Sequence, residues 1–132
     1  MRKKHVLGAV FCGVVSLGFM ACGDPVADAR KQYADGEAAY GTYCASCHEI
    51  DQGIGPRLKR EVIATRLTGA SLLSYSRRNM PYQAGNTLLP QQYLDITAYL
   101  LVREGLMDTS MTLTEVNAGS VTLTLIDPPS SE

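Results

Sequence analysis

Cys44-Ala45-Ser46-Cys47-His48 is a C-x-x-C-H pentapeptide, the attachment spacing of a c-type haem. Two thiols at that separation add across the haem vinyl groups as thioethers. The adjacent imidazole of His48 then lies where the iron must be. Five residues therefore name a cofactor, its covalent linkage at Cys44 and Cys47, and one iron ligand.

The same letters have other readings. A C-x-x-C pair serves as a redox dithiol in a thioredoxin-like βαβ setting, whereas the flanks of this one read as helical. It also serves as half of a zinc site, but the only other histidine is His5, beside the N-terminal basic residues. A five-residue string also arises by chance, so the rest of the chain has to support it.

The N-terminus reads as an export signal over residues 1–21. Arg2, Lys3 and Lys4 are followed by an apolar run from Val6 to Met20, too short for a comfortable transmembrane span and suited to a signal h-region. The run stops at Ala21-Cys22-Gly23-Asp24. A small residue before a cysteine at that place resembles a bacterial lipoprotein cleavage site, with Phe19 standing where leucine is usual. The resemblance implies lipidation at Cys22; ordinary cleavage nearby, or an uncleaved anchor, is the other reading. Cys12 lies within the apolar run, so each of the four cysteines has its own destiny and no disulfide is required.

The full chain of 132 residues carries a formal charge of −1, and loss of the signal removes three basic side chains. A mildly acidic chain has no nucleic-acid footprint. Residues 22–33 are polar and contain Pro25, which reads as a tether; about a dozen residues reach at most roughly 40 Å.

Residues 34–105 read as one unit. Tyr40 and Tyr43 repeat at near-helical spacing before the pentapeptide, and Gly53-Ile54-Gly55-Pro56 is a loop. Residues 57–69 are mixed and suggest a short helix. Ala70 to Asn79 reads as a helix ending at Met80-Pro81, followed by a turn at 83–86. The strongest helix starts at Pro90 and stops at Gly105, after Arg103 in its last turn. A core of some 70 residues needs a staple, which a covalent haem provides. Residues 106–132 read as a partly ordered extension packing loosely on the domain. Val121 to Leu125 alternates as a strand would without an obvious partner, and 127–131 reads as a frayed end.

Over residues 34–105 the chain resembles a small bacterial class I cytochrome c. The resemblance implies an all-α fold, three to five short helices around one covalent haem c. Members of that family carry a glycine and an aromatic on the first helix that meet an aromatic on the last; Gly36, Tyr40 and Tyr99 stand at matching places. A proline after the haem histidine gives its carbonyl to the other imidazole nitrogen, a role that falls to Pro56. A methionine before the final helix is the second axial ligand, which points to Met80; the plainer reading is a core methionine filling space. Asn79 either donates to the ligand sulfur or ends its helix. Arg77 and Arg78 either neutralise a propionate or lie on a solvated face.

With His48 and Met80 as axial ligands, the resemblance implies a carrier of single electrons rather than an enzyme. Its partners would be membrane-bound redox donor and acceptor complexes, with no small-molecule substrate. The lipid at Cys22 would hold it on the periplasmic or extracytoplasmic side of a membrane. The alternative is a haem enzyme or gas sensor with an open or displaceable sixth site, which requires Met80 to be off the iron.

Overall fold

The computed structural model describes residues 23–125; the signal segment and Cys22 lie outside the described residues, as do residues 126–132. Five α-helices follow in order: α1 (Pro25–Tyr43), α2 (Ala45–His48), α3 (Arg60–Ala64), α4 (Gly69–Asn79) and α5 (Pro90–Arg103). A short 3-10 turn at Ala118–Ser120 follows them. The described residues thus form an all-α fold, as the sequence led us to expect.

α1 starts nine residues earlier than the reading of a tether over 22–33 allows. Asp24 caps it by accepting from the Val26 N–H at 3.0 Å, and Pro25 occupies the first turn, where its missing N–H costs nothing. The early turns are held from outside. Ala29 and Gln32 are buried, and Tyr33 meets Tyr99 of α5 with ring centroids 5.2 Å apart. Residues 25–33 are thus part of the domain, which corrects the tether.

α5 is the centre of the molecule. It is buried without interruption from Tyr93 to Leu101, as expected of a helix covered on every side. Its largest helix contact is with α1, and the crossing point is Gly36. A Cβ built there would stand 2.1 Å from the Asp95 carbonyl oxygen and 2.8 Å from the Tyr99 Cβ. Below the crossing Tyr40 meets Tyr99, with centroids 5.3 Å apart and planes tilted by 44°, an arrangement that suits the ring quadrupoles. α5 ends where Gly105 turns left-handed, at φ 66°.

The segment after α5 is also more firmly placed than expected. Leu113, Ala118 and Leu123 are almost fully buried. The Gln32 amide holds Leu113 from both sides, donating to its carbonyl at 2.9 Å and accepting from its N–H at 2.7 Å. Val121 and Leu123 face inward and Thr122 and Thr124 outward, the alternation seen in the sequence. Their partner is the turn before α4. Thr68 and Thr122 form an antiparallel bridge, Leu123 N donates to Leu67 O at 2.8 Å, and Gly69 N donates to Val121 O at 2.8 Å. Residues 106–125 therefore pack on the domain, while the frayed end read at 127–131 lies outside the described residues.

Gly36→Ala is expected to destabilise the protein by about 1–3 kcal/mol through overpacking, read as a fall in the thermal midpoint. Gly41→Ala, on the same helix with nothing within 4 Å of the added Cβ, is the matched control. It should gain about 0.5–1 kcal/mol of helix propensity.

Candidate haem site

α1 runs straight into the pentapeptide. Cys44 closes α1 by donating its N–H to Tyr40 O at 2.9 Å, and α2 begins at once. Cys47 N and His48 N both donate to Cys44 O at 3.1 Å. Residues three and four apart on a helical turn are neighbours on one face, so Cys44, Cys47 and His48 sit together. All three line a single cavity of about 320 Å³.

Burial, and after it the neighbouring Cys47, pushes the Cys44 thiol up to about 11. A nucleophilic dithiol needs the opposite, a thiol pulled down toward neutrality. Among the described residues, no group of three or more His, Cys, Asp or Glu side chains is placed to hold a metal ion in the way a zinc site would.

His48 is buried, at 6% exposure, and its Nδ1 lies 2.7 Å from the Pro56 carbonyl oxygen. A carbonyl only accepts, so Nδ1 carries the proton and donates. Nε2 is left with the lone pair that a metal needs. The loop that brings Pro56 there depends on two glycines. A Cβ on Gly55 would meet the His48 Cε1 at 2.4 Å, and one on Gly53 would meet the Cys47 carbonyl oxygen at 2.1 Å. The sequence showed Gly53 and Gly55 only as loop residues; their role is to let the chain lie against the ring.

Met80 lines the same cavity as His48 and both cysteines. It ends α4, donating its N–H to Ser76 O at 2.9 Å, and its own carbonyl accepts from the Tyr93 hydroxyl at 2.8 Å. Tyr93, buried on α5, thus fixes the backbone that carries the thioether, a role the sequence did not reveal. Leu88, Ile96 and Leu100 add apolar walls. Asn79 donates from its side chain to Tyr75 O at 2.9 Å, so it closes its helix. Arg77 pairs with Glu115 and Arg78 is exposed. Neither arginine borders the cavity that holds His48 and Met80.

A flat apolar macrocycle with two vinyl groups fits this cavity. Its walls are apolar, two thiols stand together at one side, and one imidazole presents an unprotonated nitrogen. Cys44 and Cys47 would hold the group covalently, with His48 and Met80 as the residues available to the iron.

Fold and site together define a small monohaem c-type cytochrome, a haem c electron carrier. Residues 31–100 match the family model described as cytochrome C oxidase, cbb3-type, subunit III, and the chain belongs to that family. No curated protein and no solved structure matches it.

Tyr93→Phe removes the hydrogen bond to Met80 while keeping the ring. It is expected to weaken the far-red Met–iron band of the oxidised protein and to cost about 0.5–1.5 kcal/mol of stability. Absorption spectra across a thermal melt read both effects.

Proposed function

We propose that this cytochrome is an exported, membrane-tethered carrier that passes single electrons between membrane-bound respiratory or dehydrogenase complexes, with His48 and Met80 as its two iron ligands. The observation that supports it best is that His48 and Met80 line one apolar cavity with both cysteines. Haem c supplies a one-electron ferric–ferrous couple, and a methionine thioether raises its potential.

The protein's own part is to hold that group still and dry. Pro56 fixes the His48 ring, Tyr93 fixes the Met80 backbone, and Leu88, Ile96 and Leu100 keep water away. With His48 and Met80 both holding the iron, no site would remain for a substrate. Ile54 and Tyr82, 78% and 62% exposed, stand at the cavity mouth beside Tyr43, where a partner's surface would come close to the cofactor edge.

Tethering rests on the sequence at Cys22. The domain starts at Asp24, so a lipid at Cys22 would leave almost no slack between membrane and fold. Two or three acyl chains would hold it durably, at about 0.8 kcal/mol per buried CH₂. No helix of the described residues is long and apolar enough to cross a membrane.

Met80→Ala is expected to keep the haem attached and to lower the reduction potential by on the order of 0.1 V or more, within the roughly 0.8 V that axial ligation spans. The far-red Met–iron band should vanish with it. An unchanged potential, or rapid binding of carbon monoxide to the reduced wild type, would favour an open-site enzyme or sensor. For the anchor, Cys22→Ala should move the protein from membrane to soluble fractions or leave it unprocessed. Full membrane retention of a cleaved Cys22→Ala protein would count against lipidation.

A further inference from the structure

His48 and the carbonyl that holds its ring belong to two points on one short stretch of chain. His48 closes α2, and Pro56 lies in the loop that follows. The 2.7 Å bond from Nδ1 to the Pro56 carbonyl lasts only while those points keep a fixed separation. The loop between them is exposed at Asp51, Gln52 and Ile54, so its own packing does little to fix it. Gly53 and Gly55 let the chain approach the ring, but a glycine adds freedom and restrains nothing.

The restraint comes from outside the loop, from Arg103 in the last turn of α5. Its Nη1 donates to the Glu49 carboxylate at 3.0 Å, on the residue directly after His48. Its Nη2 donates to the Leu58 carbonyl at 2.7 Å, two residues beyond Pro56. One planar guanidinium thus grips the chain beside each partner of the His48–Pro56 bond, at a spacing its own geometry dictates.

The guanidinium is itself immobilised. Nε donates to Glu104 at 2.8 Å, and the other Glu104 oxygen accepts from the Arg60 N–H at 3.0 Å, at the start of α3. Tyr40 and Tyr99 stand against it, and Tyr40 donates to the same Glu49 oxygen. Arg57 also approaches Glu49, at 3.7 Å, but its closer partner is the exposed Asp51. An exposed pair of that kind contributes little.

We propose that Arg103 is a positioning residue for iron ligation. By holding Glu49 and the Leu58 carbonyl at once, it keeps the His48 ring bonded to Pro56 and so sets how strongly the imidazole donates to the iron. The proposal rests on haem c with His48 and Met80 as its ligands, but not on the identity of the electron partners.

The test uses the full-length, haem-loaded protein in its reduced, diamagnetic state, with Arg103→Gln and Arg103→Lys. Gln32→Leu is the control for lost stability, because Gln32 bonds to Leu113 and takes no part in the loop. NMR reads solvent exchange of the His48 Nδ1 proton, and a potentiometric titration reads the potential. Both Arg103 variants should speed exchange by about tenfold or more, the factor carried by one charge-assisted hydrogen bond. Gln32→Leu should lower the thermal midpoint and leave exchange unchanged. Arg103→Lys keeps the charge but not the planar fork. It should also raise the potential, because a less firmly bonded imidazole stabilises ferric iron less.

Wild-type exchange or an unchanged potential in Arg103→Lys overturns the proposal, as does equal acceleration in Gln32→Leu. If Arg103→Gln does not acquire haem, Arg103→Lys decides alone, on the same terms. His48 ring protons shifted far upfield by the macrocycle report ligation separately. Their absence from the wild type refutes His48 as ligand and the proposal with it. Their presence with unaltered exchange in Arg103→Lys refutes the role of Arg103 alone.

Discussion

At Gly36 the backbone of α1 lies against the Asp95 carbonyl with no room for a methyl group between them. That approach fixes two things at once. α1 leads directly into Cys44, Cys47 and His48, while α5 supplies Tyr93, Ile96 and Leu100 to the far wall of the cavity. The distance between the two helices is therefore the width of the space a cofactor can fill. A bulkier residue at the crossing would separate the cysteines from the wall that faces them.

The crossing is guarded from outside by a polar network. Arg103, in the last turn of α5, sits 5.0 Å from the Tyr40 ring centroid and 5.3 Å from that of Tyr99. It donates to Glu49 at 3.0 Å and to the Leu58 carbonyl at 2.7 Å, and Tyr40 donates its hydroxyl to the same Glu49 oxygen at 2.5 Å. The Tyr40 hydroxyl, ahead of the Arg103 and Arg57 charges, holds the Glu49 carboxyl below its usual range. Glu49 follows His48 and Leu58 follows Pro56 by two, so one arginine ties α5 to both ends of the loop that positions the imidazole. Bonds that share partners in this way reinforce one another.

Much of this was legible in the chain because it is written in local patterns. The pentapeptide and the Pro90 start and Gly105 stop of α5 are short-range signals, whereas Gly36, Tyr40 and Tyr99 were placed through the family resemblance. The first turns of α1 were hidden because the residues that bury them are unlike a core stripe. Gln32 is polar, and its partner, Leu113, is 81 positions away. The alternation at Val121 to Leu125 was visible, but its partner at 67–69 carries no strand pattern. Gly55 and Tyr93 looked like ordinary loop and helix residues. Their roles depend on what the fold brings against them, a ring in one case and a carbonyl in the other.

The two proposed ligands are held in different ways, and the difference bears on electron transfer. His48 is constrained at its ring, by the Pro56 carbonyl and by a loop that touches its face. Met80 is constrained at its backbone, by Ser76 and Tyr93, while its flexible thioether is left to adjust. A rigid imidazole and a soft, adaptable thioether would together let a bound iron change charge with little movement of the helices. Because α5 carries both Tyr93 and Arg103, the same buried helix braces the Met80 backbone and the loop that positions His48. A site that alters little between its two redox states has little to reorganise, and that is the property a one-electron carrier requires of its fold.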